Sequence, residues 1–223
     1  MNASFISQLK GTKIFKSISE EEIEKIIKEV PFRTVDYKKG EVLFWEGDKC
    51  TGIGIVLEGE VEIHKGAIMG KKITITQIKH GDMFGEAIVF STTHEYPATV
   101  EALLDSKILF ISKENILMMC SNHVQFVEKF MEVLSNKILI LNNKLSLLSL
   151  KSIRQKILFY IIKESKDKKN MSINITKQEF SEILGVERPS LSRELIKMKE
   201  ENIIEIKGKT IKILSQDSVD DYL

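Results

Sequence analysis

Five donor-bearing side chains crowd one short stretch of the chain: Arg188, Ser190, Ser192, Arg193 and Lys197. On a helix they share its N-terminal end and one polar face. Arginine in that setting takes the O6 and N7 acceptors of guanine bidentately, and serine reaches several base edges or a phosphate. Lys177, Lys207 and Lys209 are placed to touch a phosphate backbone, which makes binding salt-dependent. This is the chemistry of recognition rather than of bond-making. The chain has no HExxH, GxSxG or GxxxxGKS/T pattern and no convincing triad, so an enzyme is not expected. Its two cysteines, Cys50 and Cys120, are too few for a four-cysteine metal site, and no metal site is expected. Of the histidines, His64 follows a strand and His80 borders a glycine turn, so both are expected at the surface; His94 and His123 complete the set. Cys50, in GDKCTG, reads as a plain loop cysteine, with a redox-sensitive thiol as the alternative.

The elements that hold the donors are legible around them. Thr176 can cap a helix, and Glu179 three residues on completes a capping box. Phe180, Ile183 and Leu184 supply that helix's apolar face, and Gly185 can end it in the left-handed conformation. A second helix follows, with Pro189 in its first turn, where a missing N–H costs nothing. Leu191, Leu195, Ile196 and Met198 are expected on its buried side, beneath the donors. IIEIKGKTIKIL then reads as a hairpin turning near Lys207–Gly208. Helix, glycine turn, helix and β-wing make a winged helix-turn-helix pattern.

Upstream, Val127, Met131, Leu134, Ile138, Leu141, Leu145 and Leu148 alternate spacings of four and three, an unbroken heptad seam. Phe126, Phe130, Val133, Leu139, Ile140 and Leu147 lie on flanking faces. One face can therefore pack on the rest of the chain while the seam meets a second copy in parallel. Residues 32–112 are different: short runs such as EVLFWE, GIVLEG, KITITQI and KILFI alternate apolar and polar residues between glycines, as strands of a sandwich or roll do. Residues 4–30 read as short helices, with Ser19 capping Glu20–Glu22 and Pro31 closing the second.

The 223 residues are 43% hydrophobic and carry a net charge of only +1. That balance conceals an asymmetry. Residues 1–150 have a net charge of −2 and residues 151–223 of +3, rising to +6 without the tail that holds Asp217, Asp220 and Asp221. A basic C-terminal part agrees with nucleic-acid contact at that end. No apolar run reaches the roughly 18 residues of a membrane span, and the start lacks a signal-peptide core, so a soluble cytoplasmic protein without membrane partners is expected.

The stretches KKGEVLFWEGD (38–48), IVLEGEVEIHK (55–65), GDMFGEAIVF (81–90) and ATVEA (98–102), the heptad helix and the 175–214 segment together resemble the CRP/FNR family of bacterial transcription regulators over nearly the whole length. The resemblance implies an α+β chain. A cyclic-nucleotide-binding-like jelly roll (a double-stranded β-helix) occupies residues 1–122, a dimerisation helix 123–150 and a winged helix-turn-helix domain 151–223. It further implies a homodimeric transcription regulator, an activator or a repressor, on a pseudo-palindromic operator in double-stranded DNA, with recognition helices in major grooves about one helical turn apart. RNA polymerase is then a partner.

The departures bear on the effector. Cyclic-AMP-binding members carry Phe-Gly-Glu, a short loop, then Arg-Ser-Ala or Arg-Thr-Ala. Here Phe84, Gly85 and Glu86 are followed at that spacing by Tyr96, Pro97 and Ala98, and the positions resembling the adenine-contacting hydroxyls hold Leu141 and Asn142. A phosphodiester taken from water without a cation is costly, and Pro97 removes a donor, so cyclic AMP is not expected. Phe84, Gly85, Glu86, Val89, Tyr96, Pro97, Val127, Met131 and Leu134 would line a pocket suited to a small apolar effector. The alternatives are a haem- or redox-sensing regulator, haem needing an axial ligand, and a ligand-independent regulator with a vestigial pocket. Residues 1–40 lack the cysteine cluster of FNR-like members, so no iron–sulfur cluster is expected. Pro189 stands where other members use Glu on a cytosine, whereas Ser192 and Arg193 match the Ser-Arg pair of FNR-like members. The half-site should keep the guanine read by Arg193 and differ at the base which that Glu would specify.

Overall fold

In the computed structural model, residues 3–68, 71–165 and 170–214 are described. Asp217, Asp220 and Asp221 and residues 166–169 lie outside them. The chain divides into two compact units, residues 1–136 and 137–223.

The first unit begins with α1 (Ala3–Lys10) and α2 (Glu20–Glu29). Ser19 accepts a hydrogen bond from the Glu22 amide, and Ile23, Ile26 and Ile27 bury the inner face of α2. Each such isoleucine contributes about 1.5–3 kcal/mol of burial. Strands β1 (Arg33–Tyr37), β2 (Val42–Phe44), β3 (Gly52–Glu58), β4 (Glu60–Ile68), β5 (Lys71–Lys79), β6 (Met83–Phe84), β7 (Thr99–Ala102) and β8 (Ser106–Ser112) form two antiparallel sheets, ordered β1-β8-β3-β6 and β2-β7-β4-β5. Ile53, Ile55, Leu57, Val61, Val100 and Ile108 fill the core of this roll. The short strand β6 and the single turn α3 (Glu86–Val89) lie in a stretch too brief to show a period in the sequence.

Helices α4 (Lys113–Asn122) and α5 (Val124–Ser149) follow the roll. Phe126, Phe130 and Val133 of α5 join the first unit's core, where Phe126 stacks on Phe130 and Phe130 meets Phe90 edge-on.

The second unit adds α6 (Ile153–Glu164), β9 (Ser172–Asn174), α7 (Lys177–Leu184), α8 (Arg188–Glu200), β10 (Ile204–Lys207) and β11 (Thr210–Ile213). Its sheet runs β10-β11-β9, so the wing has a third strand that comes before α7 in the chain. Ser152 and Gln155 cap α6 reciprocally. Ile157, Leu158, Ile161, Phe180, Leu184, Leu191, Leu195 and Met198 make this unit's core. Ile196 is not among them: it is 53% exposed. Its position is about 100° around the helix from Leu195, off the face that Leu191, Leu195 and Met198 share. Ile183, also expected inside, is 44% exposed. It lines an open groove with Leu147, Leu148 and Phe159.

Candidate nucleic-acid interface and effector cassette

The polar face of α8 in the second unit is positioned by the caps around it. Thr176 Oγ1 accepts from the Glu179 amide at 3.2 Å, and Glu179 accepts from the Thr176 amide at 3.0 Å, which pins the first turn of α7. The Thr176 hydroxyl, donating to Glu179 Oε2 at 2.7 Å, and then the Thr176 amide hold the Glu179 carboxyl below its ordinary range. Gly185 ends α7 at φ 62°, where a side chain is strained. Pro189 falls in the first turn of α8, as expected. With Leu191, Leu195 and Met198 turned inward, Arg188, Pro189, Arg193 and Lys197 are exposed, and Ser190 and Ser192 are half-buried beside them. Arg193 Nη2 lies 3.4 Å from Ser190 Oγ, one turn earlier on the same face. Lys177, Lys207 and Lys209 are exposed at the start of α7 and on the wing. Lys207 pairs with Glu205 at 2.7 Å.

What the sequence does not reveal is the brace behind this face. Arg154 of α6 donates from Nε to Glu194 at 2.7 Å, and from Nη1 and Nη2 to the two oxygens of Glu201 at 2.6 and 3.1 Å. Its side chain is only 14% exposed. A planar fork holding two carboxylates seven residues apart fixes the axis of α8 against α6. The only sequence signal is that Glu194 and Glu201 share one helix face.

In the first unit, Gly85 adopts φ 84° at the head of α3, and a Cβ there would meet Gly52 O at 2.9 Å. Phe84, Glu86, Val89 and Tyr96 are buried, and Pro97 is exposed. The Tyr96 ring stacks on Phe44 with centroids 4.4 Å apart, and Phe44 meets Phe84 edge-on at 6.4 Å. Burial, with Cys50 beside it, raises the Tyr96 hydroxyl far above its ordinary pKa. Cys50 is itself buried; its Sγ donates to Gly52 O at 3.3 Å, and burial pushes the thiol up. A thiol kept protonated is a poor redox sensor. Of the remaining expected pocket residues, Val127 and Leu134 are half-buried and Met131 is 53% exposed.

One histidine expectation needs correction. His64 is buried, because alternation on β4 turns it towards Glu101 on the neighbouring β7, 3.1 Å from Nε2. His80 is exposed, as expected, with Nδ1 2.6 Å from Leu57 O. His123 is also buried, between carboxylates of α2: Nδ1 lies 2.7 Å from Glu22 and Nε2 2.9 Å from Glu29. Burial opposes the charged ring, but the two carboxylates outweigh it and raise the His123 pKa. Among the described residues, no group of three or more His, Cys, Asp or Glu side chains is arranged to hold a metal. Nor is any described helix long and apolar enough to cross a membrane.

The family model of the cyclic nucleotide-binding domain matches residues 34–123, and that of the Crp-like helix-turn-helix domain matches residues 147–221. The chain belongs to the CRP/FNR family. As a CRP/FNR-type chain it is a transcription regulator with a DNA-binding helix-turn-helix. The Cyclic AMP receptor protein of Thermus thermophilus is 22% identical over 205 residues, 92% of this chain and 94% of that protein. The cAMP-activated global transcriptional regulator CRP of Salmonella typhimurium is 22% identical over 181 residues, 78% and 86% of the two chains. In fold, the chain is similar to the Thermus thermophilus Catabolite Activator Protein (TM-score 0.54, 19% identity, 95% of this chain and 98% of that one). It is likewise similar to DNR from Pseudomonas aeruginosa (TM-score 0.53, 19% identity, 100% and 99%). Within this CRP/FNR frame the cassette does not fit a cyclic phosphate. The place of its arginine holds a buried phenol ring stacked on Phe44, and the next residue, Pro97, has no amide to donate.

Proposed function

We propose that the chain acts as a homodimer on a pseudo-palindromic operator, with α8 in the major groove and with control by an effector other than cyclic AMP. In this reading residues 1–122 sense, 123–150 dimerise and 151–223 bind DNA. The observation that carries it is the division of α8: Leu191, Leu195 and Met198 are fully buried, while Arg188, Arg193 and Lys197 are solvent-facing on a helix braced by Arg154. The seam supports the dimer, since Met131, Ile138, Leu141, Leu145 and Leu148 are each more than half exposed on α5. His123, with both ring nitrogens held by carboxylates, and Cys50, whose thiol burial keeps protonated, speak for neither haem nor thiol sensing at those positions.

Selection of binding sites from a random duplex pool tests the reading. Inverted repeats with half-sites about one helical turn apart should be enriched. Arg193→Ala should weaken binding about tenfold to a hundredfold and relax preference at one guanine. Lys209→Ala should weaken all sequences alike and lower the salt slope by about one. A pool without enriched repeats would overturn the proposal. So would an operator identical, base for base, to one that uses Glu at the Pro189 position, as far as readout by α8 is concerned.

A further inference from the structure

A groove of about 370 Å³ opens in the first unit, walled by Phe32, Phe44, Tyr96 and Phe110 and rimmed by Arg33 and Asn115. Its aromatic walls come from both sheets. Phe44 of β2 stacks on Tyr96 and meets Phe110 of β8 edge-on, at 5.8 Å and 84°. Phe32, Phe44 and Phe110 are only half-buried, so ring surface remains available. The register of β1 on β8 pairs Arg33 directly with Phe110, and the guanidinium carbon lies 5.4 Å from that ring's centroid. Arg33 makes no ion pair among the described residues, and no aspartate or glutamate lines the groove. On the rim, Asn115 Nδ2 donates to Pro31 O at 2.5 Å, tying α4 to the residue before Phe32.

Half-exposed rings with one cation and no acid among the lining residues call for a flat apolar body that carries one anionic group. Ring faces and edges accept such a body in offset or edge-on contact. A guanidinium takes a carboxylate through two parallel N–H···O bonds and stays planar while it does so. The volume sits at the lower end of the roughly 300–1,000 Å³ of small-molecule sites. A nucleotide fits less well, because its ribose hydroxyls would face phenyl rings, and the cassette's Glu86 does not line this groove. We propose that the groove binds small planar aromatic carboxylates. One of its walls, Tyr96, turns its hydroxyl towards Gly85 and Cys50, so a bound acid rests on the residue that fills the cassette.

Calorimetric titration of the full-length protein, without DNA, with phenylacetate, indole-3-acetate and 1-naphthoate tests this. At least one acid should saturate with a Kd below about 1 mM, and its neutral amide should bind at least about tenfold more weakly. Arg33→Gln should reduce the acid's affinity to that of the amide, and cyclic AMP should not compete. The inference is overturned if none of the three acids saturates at about 10 mM, if acid and amide bind alike, if cyclic AMP displaces the acid, or if Arg33→Gln binds the acid as the wild type does. Arg33 is exposed at the start of a strand, and the acid–amide comparison on the wild type requires no variant. The proposal goes beyond the DNA-binding reading, and a failed titration leaves that reading standing.

Discussion

Alanine at both Leu141 and Leu145 strips the middle of the α5 seam without weakening the helix, since alanine is the strongest helix former. The two leucines are 57% and 56% exposed in a single chain. Full burial of a leucine contributes about 1.5–3 kcal/mol, so covering the exposed half of each in a dimer contributes about 1 kcal/mol. A parallel dimer contains both leucines twice, so the double variant should lose about 4 kcal/mol, a rise in dimer Kd of about a thousandfold. Leu139 is the control: it is 59% exposed, on the same helix but off the seam, so Leu139→Ala should leave the Kd within about threefold. Sedimentation velocity over a dilution series reads both, with far-UV circular dichroism showing equal helix content. The reasoning is refuted if the double variant's Kd lies within tenfold of wild type, if Leu139→Ala weakens the dimer equally, or if the wild type is monomeric throughout.

Cyclic AMP should give no saturable heat with the wild type up to about 1 mM, because no cation stands where the cassette's arginine would; a micromolar constant refutes this. The His123 bridge should show in the pH dependence of stability. The ring's pKa is raised above 6.5, so its contribution is complete below that value and fades as pH climbs through the raised one; the Glu22 and Glu29 values are lowered below 4.5, so the carboxylates stay charged until acid well below it. The Tm difference between wild type and His123→Gln should therefore be greatest between pH 4.5 and 6.5 and shrink as pH climbs above 6.5; a gap that is constant or grows with pH contradicts it. Gly185→Ala meets no atom within 4 Å but forces φ 62° on a Cβ, so it should cost about 1 kcal/mol and lower Tm by a few degrees, and an unchanged Tm rejects the strain argument.

Local signals carried most of the architecture. The Thr176–Glu179 box, Gly185 and Pro189 act within four residues of themselves, so their spacing alone places α7 and α8. The heptad seam was legible because a period repeated over three heptads has few structural meanings. Contacts between residues distant in the chain left no such mark. Arg154 finds Glu194 and Glu201 40 and 47 residues away, and His123 finds Glu22 and Glu29 101 and 94 residues away. His64 was misplaced because alternation shows that two faces exist but not which partner strand covers one of them. The cassette fared better by comparison than by pattern: Tyr96 stood out as a missing cation, but only coordinates show its ring filling the space against Phe44.

The brace formed by Arg154 has a bearing on how such a chain changes its target. It grips α8 at Glu194 and at the C-cap Glu201, while the solvent-facing positions 188, 189 and 193 take no part in the Arg154 hydrogen bonds described above. In the proposed function, anchoring and base contact thereby fall on separate sides of one helix. Substitutions can accumulate on the outer side without loosening the scaffold, so a duplicated copy is free to drift to a new promoter set while its fold stays under the old constraint.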